Sequence, residues 1–391
     1  MDMAESAMTA DPSREPPHEQ AGSVLVVNTG SSSLKLRVLD PADTVVAETN
    51  SESWDPTDIT PIAAIVAKAP PVGAVGHRVV HGGTEFRTAR LIDTAVLDRI
   101  DALTSLAPLH QARAVAAIRA ARDALPEVPA VACFDTAYHA DLPPETAVCA
   151  LPAAWRQRWP LRRFGFHGLS HAYAARRAAE LLAATTDEQR VVSCHLGAGA
   201  SLCASVAGRS VDTTMGFTPL DGLVMATRSG SVDPGLVLWL VTDAGLEPEA
   251  VRDGLEHHAG LAGLAGGSGD MRDVIARRAA GDDRAALAFD VYVARLAAGI
   301  AAMTTAMRGV DAVVFTGGVG EHAPDVRQAA ADRLAHLGVA LAHSANQAAL
   351  GADTDVTAVG AGVSTLVVAA REDLEIARQT RRALRTGPPA P

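Results

Sequence analysis

Val24-Leu-Val-Val-Asn28-Thr-Gly30-Ser-Ser-Ser33-Leu34-Lys35-Leu36-Arg37-Val38-Leu39 is the stretch that decides the fold. Its first four residues form a short apolar run that ends in a Gly/Ser-rich turn. Beyond the turn, apolar and charged residues alternate, as they do in a half-buried strand. The reading is strand, polar turn, strand. A Walker loop is excluded, because G-x-x-x-x-G-K is missing and no helix follows.

The same shape returns in the second half. Val191-Val192-Ser193-Cys194 leads into His195-Leu196-Gly197-Ala198-Gly199-Ala200-Ser201, and Leu202–Val206 resumes as a strand. Two hairpins of one shape predict an internal duplication facing one cleft. Helical spacing appears over Thr94–Leu106, Gln111–Leu125, His171–Ala184, Gly235–Thr242, Ala285–Arg308, Pro324–Leu337 and Glu372–Leu384. Val128–Phe134, Val313–Thr316 and Thr365–Ala369 read as buried strands, and Gly317–Glu321 as a Gly-rich turn. Strands alternating with helices make an α/β chain. The prolines between Ala140 and Leu161 mark the expected domain break.

Composition narrows the function. The formal charge is -11 and no basic face stands out, which argues against nucleic acid. Lys35 and Lys68 are the only lysines, so a lysine inside a Ser-rich turn is conspicuous. Such a turn offers backbone N–H groups, hydroxyls and one charge to phosphate oxygens. Three Gly-rich turns after strands favour a polyphosphate ligand such as a nucleotide. Arg78 and Arg228 are each bracketed by small residues, and a guanidinium holds carboxylate or phosphoryl groups in a fork. Asp135 ends a buried strand, where α/β folds place reactive groups. Residues 1–21 are polar and lack the apolar core of a signal peptide, so they read as a disordered tail. No apolar run approaches the ~20 residues that span a bilayer. Cys133, Cys149, Cys194 and Cys203 form no C-x-x-C pair and read as free thiols of a cytoplasmic protein.

In chain order, VLVVNTGSSSLKLRVLD, VGHRVVHGG, FDTAYHADLPP, RRFGFHGLSHAYAARR, CHLGAGAS, SVDTTMGFTPLDGL, TRSGSVDPG, SGDMRDV, VFTGGVGEHAPDVR and EDLEIAR resemble the motifs of the acetate/propionate kinase family, within the actin-like ATPase superfamily. The resemblance runs from Val24 to Arg378. It implies two duplicated actin-like (ribonuclease H-like) α/β domains around a central cleft. Residues 22–140 with 373–391 would make one domain and 141–372 the nucleotide-binding other. It also implies reversible phosphorylation of acetate to acetyl phosphate by ATP with Mg²⁺ (Mn²⁺ as a substitute), in a homodimer.

Carried onto this chain, the resemblance assigns Asn28 and Glu372 to the metal, largely through water. Lys35 would lie near the phosphates. Arg78 and Arg228 would bind the carboxylate and the phosphoryl group in flight, with Asp135 and His167 beside them. His195, Leu196, Gly197, Ala198 and Gly199, then Asp270, Met271 and Arg272, then Gly318, Val319, Gly320, Glu321 and His322 would surround ATP. Val80, Leu109, Phe166 and Pro219 would wall the acetate methyl. The chain departs from the family pattern at Ala198, His322, Leu169 and Gln111. Acetate is already ionised at neutral pH, so Asp135 is expected to orient Arg78 or order water rather than accept a proton. The alternatives are a propionate or other short-chain carboxylate kinase, a sugar kinase or chaperone-type ATPase, and a non-catalytic sensor of nucleotide or acyl phosphate.

Overall fold

The computed structural model describes residues 22–386 apart from 31–32, 57 and 184–188, and without the side chains of 108–109. The tail expected over residues 1–21 lies outside the described residues, as do Ser31 and Ser32 of the first turn. The chain forms two mixed six-stranded sheets. The first holds β1 (Ser23–Thr29), β2 (Leu34–Leu39), β3 (Val45–Ser51), β4 (Val72–Val79), β5 (Arg90–Leu91) and β6 (Ala130–Phe134), in the order β3-β2-β1-β4-β6-β5. The second holds β7 (Arg190–Leu196), β8 (Ala200–Val206), β9 (Arg209–Thr213), β10 (Ala312–Thr316), β11 (Thr354–Asp355) and β12 (Ser364–Val367), in the order β11-β12-β10-β7-β8-β9.

The two sheets match strand for strand. β1 pairs antiparallel with β2 and parallel with β4, as β7 does with β8 and β10. The parallel strands β6 and β10 are buried along their whole length and read as unbroken apolar runs, because helices cover both faces. The edge strand β3 alternates half-buried and exposed residues, which suits a strand with one partner.

The coverings cross over between the halves. The helix Gly168–Leu181 follows the first sheet in the chain but buries Tyr173, Ala174 and Ala178 against β7, β10 and β12 of the second. The final helix, Glu372–Thr386, follows the second sheet but packs Ile376 and Ala377 on β1, β4 and β6 of the first. The two helices meet each other, and Arg176 reaches the fully buried Glu375 at 3.0 Å. Leu169 is buried in the same cluster as Ile376, so that departure from the family pattern is a packing residue.

Three expectations are corrected. Gly317–His322 forms a helix rather than a turn; Gly317 takes the left-handed φ of 79° and the chain coils at once. The helix expected from His171 starts at Gly168, because His167 itself takes a left-handed φ of 55° and redirects the backbone. The 24-residue helix Asp283–Ala306 is long and apolar enough to cross a membrane by length and composition. In this fold its apolar side, including Phe289, Leu296 and Ile300, belongs to the core of the second sheet.

Candidate active site

The site lies where the C-terminal ends of β1, β4, β6 and β7 approach the start of the final helix. Arg78, near the end of β4, holds the Asp135 carboxylate in a fork, with Nη2–Oδ2 at 2.7 Å and Nε at 3.2 Å from both oxygens. Its Nη1 donates to Asn28 Oδ1 at 3.2 Å and stands 3.8 Å from Glu372 Oε2. Asn28 Nδ2 donates to the same Glu372 oxygen at 2.9 Å. Burial opposes the charge on Arg78, but Asp135 and Glu372 outweigh it and raise its pKa. Burial likewise opposes the Glu372 charge. Arg78, His195, the Asn28 hydrogen bond and Lys35 together hold its carboxyl below the usual range. Lys35, paired with Asn28 across the first hairpin, thus stands at this cluster.

His167 is brought to Asp135 through Gly168. The Gly168 N–H donates to the Asp135 carbonyl at 3.0 Å. A Cβ at Gly168 would collide with that carbonyl, so only glycine permits the approach. The His167 and His195 rings lie 4.3 Å apart. Burial drives the His167 pKa well below 6.5, followed by the charges of His195, Arg78, His171 and Arg228. Burial and Arg78 also lower that of His195, against Glu372. Gly199, in the turn between β7 and β8, lies directly against these groups. A Cβ there would sit 3.5 Å from His167 Nε2 and 3.7 Å from Arg228 Nη1.

Arg228 donates to the Pro219 carbonyl at 3.4 Å and meets no carboxylate within ion-pair distance among the described residues. Burial lowers its pKa. It is a cation poised for an anion that the protein does not supply. His110 marks the space between the two arginines; burial, then Arg228 and Arg78, lower its pKa to about 4. Val80 and Phe166 share one buried apolar cluster, and His81 packs edge-on against Phe166 at 5.5 Å. Pro219 is half-buried beside Arg228. The side chain of Leu109 lies outside the described residues.

The segments assigned to nucleotide meet at the end of β7. Ala198 accepts from Ala226 N–H at 3.0 Å. A Cβ at Gly269 would strike the Ala226 carbonyl, which brings Asp270 to the same region. Gly197 closes its turn by donating to the Gly199 carbonyl at 3.0 Å. The helix Gly317–His322 starts against Leu196, and open space lies above Gly318. Some assigned side chains serve the fold instead. Leu196 and Met271 are buried in the core, and Val319 packs against it. Glu321 accepts from the N–H groups of Gly317 at 2.9 Å and Ala370 at 3.0 Å. Asp270 caps its helix and is clasped by Arg272. Backbone and space, not these side chains, are what such positions offer a ligand. His322 is exposed, its Nδ1 3.2 Å from the Gly318 carbonyl.

Sequence reasoning missed His110, and it noted Gln111 only as a departure from the family pattern. Gln111 is fully buried and clamps the loop after β4, exchanging hydrogen bonds with His81 N–H at 3.2 Å and His81 carbonyl at 2.9 Å.

No group of three His, Cys, Asp or Glu suited to a metal forms among the described residues. Asn28 and Glu372 offer one carboxylate and one amide oxygen. That donor set fits a hard divalent cation held through water and phosphate oxygens, and does not fit a closed protein cage.

Residues 57–378 match the model of the Acetokinase family. An acetate kinase of Deinococcus deserti is 46% identical over 80% of this chain and 78% of its own length. An acetate kinase of Shouchella clausii is 37% identical over 92% and 98%. The crystal structure of Porphyromonas gingivalis acetate kinase superposes with a TM-score of 0.86 at 31% identity, covering 93% of this chain and all of that one. A propionate kinase from Francisella tularensis gives 0.85 at 33%, covering 92% and 99%. The duplicated sheets, the arginine-lined cleft and these likenesses agree: the chain belongs to the acetokinase family.

Proposed function

We propose that the protein is an acetate kinase, transferring the γ-phosphoryl group of ATP directly to acetate and running the reaction in both directions. The observation that carries this reading is the gathering of Arg78 and Arg228 about His167 and His110, with Val80 and Phe166 in one buried apolar cluster. Asp135, the obvious base, is committed to Arg78. A carboxylate acceptor needs no base, because it is already an anion. Catalysis then rests on positioning and on stabilising charge over the three equatorial oxygens of the phosphoryl group. Arg78 and Arg228 supply fixed cations to those oxygens and to the carboxylate, and His167 a hydrogen bond.

Asn28 and Glu372 would hold Mg²⁺ through water, and the ion when bound draws charge off the nucleotide phosphates. Lys35 and the backbone around Gly197–Gly199 and Gly318 would face those phosphates. The two sheets with their exchanged helices would act as the two domains closing on the cleft.

The same reading makes the enzyme a cytoplasmic homodimer. The apolar helix Pro234–Thr242 supports the dimer: none of its residues is buried, and Leu238 and Trp239 are 64% and 54% exposed. A monomer rarely leaves such a face in water. The free thiols of Cys133, Cys194 and Cys203, all buried, suit a reducing compartment.

The deciding experiment incubates the protein with ATP, Mg²⁺ and acetate and traps acyl phosphate with hydroxylamine. Hydroxamate formation at enzymatic rates is expected. Its absence, with propionate and butyrate tried in parallel, would refute the reading.

A further inference from the structure

β10 and β12 run parallel side by side and part at their C-terminal ends. β10 turns at once into the helix Gly317–His322, whose backbone faces the nucleotide under the proposed function. β12 leads through Val368, Ala369, Ala370 and Arg371 into the final helix, which opens at Glu372. The last rung between the two strands is the Val368 N–H on the Phe315 carbonyl at 2.9 Å. Beyond it no backbone hydrogen bond joins the two segments among the described residues.

Glu321 closes that fork. Its Oε1 accepts from the Gly317 N–H at 2.9 Å and from the Ala370 N–H at 3.0 Å, so one oxygen holds both branches. A carboxylate oxygen has lone pairs for two donors, and bonds to an ionised acceptor are roughly twice as strong as neutral ones. The backbone that carries Glu321 is fixed as well. Arg327, fully buried, donates to the carbonyls of Gly320 at 2.8 Å and Glu321 at 2.9 Å. Its other nitrogens reach Asn346 Oδ1 at 2.7 Å and the Ala349 carbonyl at 3.0 Å. Next to Ala370, the Ala369 N–H donates to Asp353 Oδ1 at 3.0 Å, so the link from β12 to the final helix hangs from two carboxylates. Two residues beyond Ala370, Glu372 Oε2 accepts from Asn28 at 2.9 Å.

We infer that Glu321 is a positioning residue that ties the nucleotide-facing backbone of Gly317 and Gly318 to the metal-side Glu372 through the Ala370 N–H, so that nucleotide and divalent cation are seated together. The inference rests on the placement of nucleotide and metal under the proposed function. Glu321 acts through backbone alone and needs no contact with either ligand. Both bonds end on Oε1, an atom that the amide of glutamine also offers. Two seats braced by one strut shift together, and by reciprocity each ligand steadies the seat of the other.

The test uses the full chain and two probes: ADP alone, by isothermal titration calorimetry, and Mn²⁺ on the ADP-loaded protein, by electron paramagnetic resonance. Glu321→Ala should weaken both bindings, each by roughly tenfold, the low end for losing a group that orients a metal ligand. KM for acetate should hold, which a general packing defect would not allow. In a Glu372→Gln background the same change should leave Mn²⁺ affinity as it is while still weakening ADP, because the metal effect runs through Glu372. Glu321→Gln should rescue both bindings. If Glu321→Ala fails to fold by circular dichroism, Glu321→Asp, one methylene too short to span both N–H groups, is read in its place. Normal binding of both probes, weakening of only one, a metal effect that persists beside Glu372→Gln, or a Glu321→Gln protein as weak as Glu321→Ala would overturn the proposal. A wild type that shows this coupling yet makes no acyl phosphate would refute the kinase reading while upholding the strut; one that binds no ADP would overturn both.

Discussion

Asp135 grips Arg78 with both carboxylate oxygens, at 2.7 Å and 3.2 Å, while Arg228 across the cleft has no carboxylate within ion-pair distance among the described residues. The pair is unequal by design of the sequence. One arginine is fixed in direction by a buried carboxylate, and the other keeps its full charge for the ligand.

Arg78→Ala and Arg228→Ala should each lower kcat by about 10² or more, since each removes a fixed cation from the transition state. Arg78→Ala also strands Asp135, so it should cost stability as well, whereas Arg228→Ala should leave the melting temperature nearly unchanged. Steady-state kinetics with thermal melts check this; near-normal turnover of either folded variant would remove that arginine from the site.

Val80 and Phe166 share one apolar wall, and Val80 would limit the depth available to the acid. One extra methylene contributes roughly 1 kcal/mol in a space that fits it and clashes where none exists. Acetate should be preferred over butyrate, with propionate accepted. Val80→Ala should raise kcat/KM for propionate and butyrate relative to acetate. An unchanged ratio would mean that Val80 only fills the core.

Glu372 is hydrogen-bonded to Asn28, and its neighbours hold its carboxyl below the usual range. Glu372→Gln should raise the Mg²⁺ concentration needed for half-maximal rate by about tenfold. Chelation with EDTA should abolish turnover in the wild type. A Mg²⁺ titration indistinguishable between the two proteins would separate Glu372 from the metal.

His77, on β4, is buried, and neither ring nitrogen has a hydrogen-bond partner among the described residues. Burial lowers its pKa from 6.5 to about 3. A depressed histidine contributes stability above its unfolded pKa, because only the unfolded chain takes up the proton as pH falls. Between pH 6.5 and 5 this one group should cost about 2 kcal/mol. His77→Leu should flatten the loss of stability over that window. Denaturant unfolding at both pH values measures it, and an equal slope in the two proteins would rule His77 out.

The helix Pro234–Thr242 should be the seam between two copies. Leu238→Glu is expected to shift sedimentation from dimer to monomer while the circular dichroism spectrum is kept. A wild type that sediments as a monomer would dismiss the dimer.

Much of this was legible beforehand, for reasons that differ by residue. Period-two alternation around Lys35 and the unbroken apolar run at Val313–Phe315 reveal strands because local burial imposes them. Arg78, Asp135 and Arg228 stand out because charge among small residues is costly unless used. What stayed hidden depends on three-dimensional register. Ser193 and Ser201 look like ordinary strand serines, and only the antiparallel pairing of β7 with β8 aims both at one histidine. Gly317–Glu321 read as a turn because glycine says nothing of the helix that follows it. Glu321 read as a ligand residue, yet its carboxylate is taken by two backbone N–H groups.

The hydrogen bond between Asn28 and Glu372 joins residues 344 apart in the sequence. Asn28 is made 344 residues before Glu372, so all twelve described strands are synthesised while the cluster is still incomplete. The final helix must then seat on β1, β4 and β6 before the cleft is assembled. Competence therefore arrives only once Glu372 has been made and its helix has seated, and a chain cut short before Glu372 would lose both the cluster and the cover of the first sheet.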